Sequence, residues 1–163
     1  MIKKVLYLAI ILGIISCNPF SPTESDLGEY LEISDNSTIA GLMSNFVYSY
    51  TFKDSFLYET ILDSNFMFKY NNDGIYETWN KDEDLRITKR LFRNLTSLNL
   101  IYNNSFVEPS EESLDTTIIA TFLLTINYGS FEDVFSGHAK YQFLKKNEKG
   151  KNVWKISYWE DLE

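Results

Sequence analysis

Apolar and polar residues alternate along the last third of the chain with the two-residue period of β-strands. Three such runs follow one another between Leu114 and Glu160, and a shorter run precedes them over 98–102. Because successive side chains of a strand point to opposite faces, this alternation predicts antiparallel strands with one buried face. The predicted inner face carries Ile118, Ala120, Phe122, Leu124, Ile126 and Tyr128, then Phe135, Gly137, Ala139, Tyr141 and Phe143, and finally Trp154, Ile156 and Tyr158.

Upstream of this sheet, apolar positions recur at the i, i+3, i+4, i+7 spacing of a helix face. The first helix is predicted over 37–50, with Ile39 first and Tyr50 last on its apolar side. Asp54 stands where it caps a second, short helix over 55–62. The chain therefore begins its folded part with two consecutive helices.

After the second helix, the spacing of apolar residues changes twice. Over 65–70 it becomes two, and the residues 71–74, Asn-Asn-Asp-Gly, supply the chemistry of a tight turn, so we predict a strand there. A third helix is predicted over 81–93, behind Asn80, which stands three residues before Glu83 in an arrangement close to a capping box. Helices followed by a run of antiparallel strands indicate an α+β fold.

The first sixteen residues have the layout of a secretory signal peptide. A basic start at Lys3 and Lys4 is followed by an apolar run over 5–15 and by the small residue Ser16. The alternative is a permanent membrane span, but the run is shorter than the roughly 20 residues that a membrane-crossing helix needs. We therefore predict a signal peptide over 1–16.

The residues around Cys17 resemble the signal of bacterial lipoproteins, in which the cysteine is acylated and becomes the mature first residue. Ile14-Ile15-Ser16 precede it, and Cys17 is the only cysteine, so no intrachain disulfide can form. The alternatives are ordinary cleavage that leaves a free thiol, or a buried cysteine. Lipidation at Cys17 predicts a protein anchored in the bacterial cell envelope, on the outer membrane or the periplasmic face, since acyl chains add about 0.8 kcal/mol per buried methylene.

Composition limits the remaining classes of function. Residues 17–35 are rich in Pro, Ser, Asp and Glu and are predicted to be a flexible tether, whereas residues 36–163 are predicted to form one domain. The formal net charge of −8 argues against a nucleic-acid partner, because binding phosphates requires clusters of Lys and Arg.

The order of elements resembles the nuclear transport factor 2-like superfamily in its SnoaL-like branch. The resemblance covers residues 37–161 and is carried by Lys53-Asp54, by 63–68, by 79–85 and by Trp154-Lys155-Ile156. It implies three N-terminal helices packed in a strongly curved antiparallel sheet, a cone-shaped, cystatin-like α+β barrel with an apolar cavity at its open end. Members place small hydrophobic ligands, active sites or partner proteins there, and the fold alone does not choose among them.

Aromatic side chains on the predicted inner surfaces are the candidates for lining that cavity. They combine apolar rings with a few hydrogen-bonding groups, as ligand pockets do. The alternative is that they fill the cone as plain core. The ligand-pocket candidates are Phe46, Trp79, Tyr102, Phe122, Tyr141, Trp154 and Tyr158.

We predict no catalytic residue, no metal site and no cofactor. The single histidine, His138, has the parity of the polar strand face, away from the cavity. Asp54 is interpreted as a helix cap, and Asp63, Asp115 and Asp133 stand at strand ends, so none has the position of an isolated inner-face base. No clustered His, Cys or acidic spacing indicates a metal site.

The leading hypothesis from the sequence is a membrane-anchored lipoprotein whose domain binds a small apolar ligand or a protein partner without catalysis. One alternative is a SnoaL-like isomerase, dehydratase or cyclase acting in the cone cavity, which a buried carboxylate or histidine facing the cavity would favour. A second alternative is a homodimeric protein-interaction module.

Overall fold

The computed structural model describes residues 33–103, 106 and 109–162. The predicted signal peptide, Cys17 and residues 17–32 of the predicted tether lie outside the described residues. Among the described residues, no helix combines the length and the apolar character that crossing a membrane requires.

Three helices form where the apolar spacing predicts them. They are α1 (Ile39–Thr51), α2 (Ser55–Ile61) and α3 (Lys81–Asn94). Each begins behind a side chain whose oxygen accepts a backbone N–H of the first turn; these capping residues are Thr38, Asp54 and Asn80. Such a cap contributes about 1 kcal/mol. The predicted caps at Asp54 and Asn80 are confirmed.

Six strands form one curved mixed sheet. They are β1 (Leu62–Asn72), β2 (Ile75–Asn80), β3 (Ser97–Tyr102), β4 (Asp115–Asn127), β5 (Glu132–Glu148) and β6 (Lys151–Leu162). Their order across the sheet is β2-β1-β6-β5-β4-β3, and all neighbours are antiparallel except β1 and β6. The predicted fold class, three helices packed in a strongly curved sheet, is confirmed, with one parallel pair in that sheet.

Two hairpins of the sheet turn through two residues each. Asp73 and Gly74 join β1 to β2 with φ values of 50° and 88°, and Lys149 and Gly150 join β5 to β6 with φ values of 52° and 84°. Two successive positive φ values are the signature of type I′ turns, whose twist matches that of the flanking strands. The first turn is the one predicted over 71–74, and it leads into β2, a strand that the sequence did not distinguish.

Helix α1 lies against the inner face of the sheet. Its side chains Ile39, Leu42 and Phe46 are fully buried. Phe46 contacts rings from four other elements, at centroid distances of 5.7 Å to Tyr58, 6.2 Å to Tyr102, 6.1 Å to Tyr141 and 5.5 Å to Trp159. The aromatic core is therefore built around Phe46.

The predicted alternation of β4 and β5 is confirmed. Ala120 on β4 pairs with Ala139 on β5, and both are fully buried, whereas their neighbours Thr121 and His138 pair on the opposite face. His138 is exposed, and its Nδ1 lies 3.1 Å from the Thr121 hydroxyl oxygen.

A β-bulge in β6 changes which side chains face inwards. Phe143 of β5 pairs with Ile156 and Gln142 pairs with Tyr158, so Ser157 has no partner opposite it. An extra residue in one strand reverses the alternation beyond it. Ile156 therefore faces the core, but the next inward side chain is Trp159 rather than Tyr158. The expectation that Tyr158 shares the inner face with Trp154 and Ile156 is wrong for Tyr158.

Candidate functional site

A cavity of about 330 Å³ lies between the helices and the inner face of the sheet. Every helix and strand except α2 and β2 contributes to its wall. The lining residues are Phe46, Tyr50, Phe68, Leu91, Leu100, Tyr102, Phe122, Leu124, Ile126, Phe135, Tyr141, Trp159 and Asp161. The wall is mostly apolar, and its polar side-chain groups belong to three tyrosines, one tryptophan and one aspartate. Its volume lies in the range of small-molecule sites.

Four of the aromatic residues singled out in the sequence lie in this wall. They are Phe46 on α1, Tyr102 on β3, Phe122 on β4 and Tyr141 on β5. The fold brings them together because β4 lies between β3 and β5, and Phe122 is opposite Tyr102 in the β3–β4 register. The Phe122 ring extends over Gly137 of β5, where a Cβ atom would lie 3.2 Å from its Cζ.

The other three candidates lie outside the described cavity wall. Trp79 stacks on Phe68 at 4.5 Å, behind the cavity, because β2 is the edge strand beyond β1. Trp154 is 2% exposed in the core, with the Lys145 ammonium 4.8 Å from its ring. Tyr158 points to the outer face, because the bulge at Ser157 reverses the alternation.

Tyr102 and Tyr141 form a hydroxyl pair in the wall, with their oxygens 2.5 Å apart. Burial raises the pKa of both phenols, so both keep their protons at neutral pH. A bond between two hydroxyls uses one of the two protons. The second proton remains for another acceptor.

Trp159 places an indole ring among Phe46, Phe68 and Tyr141. The ring meets Phe68 edge-on at a centroid distance of 4.8 Å and lies 5.6 Å from Tyr141. Its Nε1 atom is buried, and no residue in the described part of the chain accepts its proton. A buried donor without an acceptor costs about 1–3 kcal/mol.

A buried carboxylate, Asp84, lies behind the cavity wall. Asp84 is 4% exposed, and it accepts hydrogen bonds from the Tyr58 hydroxyl at 2.7 Å and from Trp79 Nε1 at 2.9 Å. Burial raises its pKa above the ordinary 3.8, and the two hydrogen bonds only partly oppose this. Asp84 is not part of the described cavity lining.

Sequence reasoning missed Asp84, although a signal was present. In α3 it stands one residue before Leu85, four before Thr88 and eight before Phe92, all of which are buried. It therefore occupies the apolar face of its helix. An acidic residue on that stripe indicates a buried, hydrogen-bonded carboxylate.

The comparisons with known proteins identify the fold. No protein-family model matches the chain, and no curated protein does. Among solved structures, a nuclear transport factor 2-like protein from Salmonella enterica serovar Typhimurium aligns with a TM-score of 0.58 at 11% identity, over 76% of this chain and 87% of that one. The chain has the nuclear transport factor 2-like fold.

Two further solved structures share this fold. A candidate scytalone dehydratase from Novosphingobium aromaticivorans aligns with a TM-score of 0.56 at 11% identity, over 74% of this chain and 77% of that one. LinA aligns with a TM-score of 0.57 at 13% identity, over 74% of this chain and 80% of that one. At these identities the likeness establishes the fold alone.

On this nuclear transport factor 2-like fold, Asp161 places a carboxylate in the described cavity wall. It follows the bulge in β6, which turns it inwards with Trp159, and it is exposed. Burial is the main cause of the raised pKa of Tyr141, and the nearby Asp161 charge adds to it. Sequence reasoning missed Asp161 because uninterrupted alternation places it on the outer face.

Two other acidic residues considered from the sequence, Asp54 and Asp63, have structural contacts. Asp54 accepts the N–H groups of Phe56 and Leu57 at 3.0 and 2.9 Å, and Asp63 pairs with Lys146 at 3.0 Å. Over residues 33–103, 106 and 109–162, no group of three or more His, Cys, Asp or Glu side chains could hold a metal ion.

Proposed function

We propose that the protein is an exported, lipid-anchored protein of a bacterial envelope whose nuclear transport factor 2-like domain binds a small, mostly apolar ligand. The observation that carries this proposal is the cavity of about 330 Å³ walled by aromatic and aliphatic side chains. Pockets of this kind bury most of a small ligand and orient it with a few polar groups.

The wall of the cavity is suited to an apolar occupant. Phe135 lines the cavity and is 48% exposed, so an aromatic ring stands between the cavity and solvent. Removing apolar surface from water contributes about 25 cal/mol per Å². Burial of this wall is therefore the main source of binding free energy for an uncharged ligand. The described wall contains no Lys, Arg or His side chain that would balance the charge of an anionic ligand.

The anchor is proposed from the sequence around Cys17. An apolar segment over 5–15, a small residue and a lone cysteine supply the three parts of a lipoprotein signal. We expect Cys17→Ala to move the protein from the membrane fraction to the soluble fraction. Unchanged membrane association of that variant would contradict lipidation at Cys17.

Binding is tested with N-phenyl-1-naphthylamine, an uncharged dye whose fluorescence rises in apolar surroundings. Leu124 lines the cavity, whereas Ile119 on the same strand is 57% exposed on the opposite face. We expect Leu124→Trp, which fills part of the cavity, to weaken dye binding by about tenfold or more, since the added ring takes the space of the ligand. The matched control Ile119→Trp leaves dye binding unchanged.

Two outcomes would contradict the binding proposal. One is the absence of saturable dye binding by the folded wild-type protein. The other is equal weakening by Leu124→Trp and Ile119→Trp, which places the dye on the surface. Native mass spectrometry of protein purified from its source complements the dye, because a reproducible extra mass supplies the natural ligand for identification.

A second candidate function is catalysis in the same cavity, as an isomerase, dehydratase or cyclase of the SnoaL-like kind. The observation that favours it is Asp161, a carboxylate that lines the same cavity as the phenol of Tyr141. A carboxylate base beside a hydroxyl donor suits proton abstraction next to a carbonyl. Solvent deuterium exchange into the methyl group of 1-acetonaphthone, lost in Asp161→Asn, would support catalysis, and no exchange above the buffer rate would oppose it.

The homodimer stays a prediction. The outer face of the sheet exposes Ile101, Ile119 and Val134 by 45%, 57% and 60%. Sedimentation of the purified protein at several concentrations distinguishes a dimer from a monomer.

A further inference from the structure

We propose that the ligand of this cavity carries an uncharged hydrogen-bond acceptor, a carbonyl oxygen on an apolar skeleton, which accepts the indole N–H of Trp159. Tyr102 and Tyr141 supply a second donor to the same oxygen. This inference rests on the proposed binding function, and it names the class of ligand.

The first step is the unpartnered donor. An indole N–H can only donate, and at least about 90% of buried polar groups in proteins have a hydrogen-bond partner. Trp159 lines the cavity with Nε1 buried, and none of the described residues accepts from it. An acceptor brought by a ligand satisfies this group.

The second step concerns the hydroxyl pair of Tyr102 and Tyr141, which has two O–H groups but only one hydrogen bond between them. The Tyr102 and Tyr141 oxygens lie 2.5 Å apart, and the bond between them uses one proton whichever oxygen donates. Tyr141 is fully buried, and burial keeps both phenols protonated. The pair therefore presents one further O–H at the wall where Trp159 packs 5.6 Å from Tyr141.

The third step concerns the charge of the ligand. The donors Trp159 and Tyr102 are neutral, and the described wall contains no Lys, Arg or His side chain to balance a negative charge. Burying a charged oxygen in an apolar cavity also costs more than burying a carbonyl. A ketone, aldehyde or ester oxygen fits this set better than a carboxylate or a phosphate.

The test compares 1-acetonaphthone with 1-ethylnaphthalene, which have similar shapes and differ in the carbonyl oxygen. Affinities are measured by calorimetry on the full chain carrying Cys17→Ala, a variant that keeps detergent out of the preparation. We expect the ketone to bind about tenfold more tightly, because it satisfies a buried donor that the hydrocarbon leaves without a partner.

Variants assign the preference to the donors. We expect Trp159→Phe to reduce the ketone preference to about twofold or less while the affinity for 1-ethylnaphthalene stays within about threefold, since only the N–H is lost. Tyr102→Phe reduces the preference by a smaller factor. The matched control Trp154→Phe alters a core tryptophan outside the described wall and keeps the preference.

The outcomes separate this inference from the binding proposal. If neither compound binds the folded wild-type protein, the binding proposal fails. If both bind with equal affinity, or if the preference survives both Trp159→Phe and Tyr102→Phe, binding stands and the carbonyl inference is overturned. If Trp159→Phe does not fold, Tyr102→Phe and the wild-type preference decide alone.

Discussion

Two tryptophans that pack on the same ring, Phe68, have indole N–H groups in opposite situations. Trp79 stacks on Phe68 and donates to the buried carboxylate of Asp84 at 2.9 Å. Trp159 meets Phe68 edge-on, and its buried N–H has no acceptor among the described residues. The difference separates a region that completes its own hydrogen bonds from one whose donors, in our proposal, bind a ligand.

The two regions differ in their balance of donors and acceptors. In the first, which we name the Asp84 cluster, the two carboxylate oxygens of Asp84 accept one bond each from Tyr58 and Trp79. In the cavity wall, Trp159 and the Tyr102–Tyr141 pair carry three N–H and O–H donors, and only one of these donors has an acceptor among them. We therefore expect substitutions in the Asp84 cluster to change the stability of the fold, and substitutions in the cavity wall to change ligand binding.

The largest expected effect on stability comes from removing the carboxylate of Asp84. Asp84→Ala leaves the Tyr58 hydroxyl and the Trp79 N–H buried without an acceptor, and should lower the free energy of unfolding by about 2–4 kcal/mol. Asp84→Asn is the matched control, because its amide oxygen accepts from Trp79 and its NH₂ group donates to the Tyr58 oxygen. Urea unfolding followed by circular dichroism measures both. Equal losses in the two variants would contradict the hydrogen-bond account.

A smaller effect separates the two tryptophans directly. Trp79→Phe removes a donor from a buried carboxylate and should cost about 1.5–3 kcal/mol, the range for hydrogen bonds to charged groups. Trp159→Phe removes a donor that has no protein acceptor in the described structure, so it should cost less. Chemical unfolding of the two variants provides the comparison. A larger loss for Trp159→Phe would mean that its N–H has a structural partner.

The smallest effect is a dependence of stability on pH. Burial raises the pKa of Asp84 above 3.8, so the folded state holds this proton more tightly than the unfolded chain does. Its contribution is therefore most favourable below about pH 3.8, and it declines as the pH rises through the raised folded value. We expect the stability of the wild type relative to Asp84→Asn to fall between pH 4 and pH 7.

The subtraction isolates Asp84 from the other acidic groups. The pKa of Glu160 is lowered, mainly by a hydrogen bond from the Lys69 ammonium. Glu160 therefore contributes to stability above its ordinary pKa of 4.5, and this contribution is lost as the pH falls. This trend is common to both proteins and cancels in the difference. A relative stability that rises towards pH 7 would contradict the sign assigned to Asp84.

The sequence predicted the helices and the central strands because these depend on local patterns. Capping oxygens at Asp54 and Asn80 act within three residues, and the alternation of β4 and β5 follows from the period of a strand. The same patterns predict the four aromatic candidates that line the cavity. Strand alternation predicts Tyr102, Phe122 and Tyr141, and the helical spacing of α1 predicts Phe46. Local rules were therefore enough for the fold class and part of the wall.

Two members of the wall, Trp159 and Asp161, depend on one position that local rules do not reveal. At Ser157, the pairing of β6 with β5 and its pairing with β1 both change register. Contacts of this kind join residues far apart in sequence. Uninterrupted alternation along β6 instead places Tyr158 on the inner face, in place of Trp159 and Asp161.

The most direct test of the cavity account is the nitrogen-15 spectrum of the indole N–H groups. The chain has three tryptophans, so three signals are expected; Trp159→Phe identifies the signal from the cavity, and Trp79→Phe identifies the signal from the Asp84 cluster. On adding 1-acetonaphthone, the account predicts a downfield shift of the Trp159 signal and an unchanged Trp79 signal, with little change from 1-ethylnaphthalene. Binding of the ketone with no movement of the Trp159 signal would contradict the account.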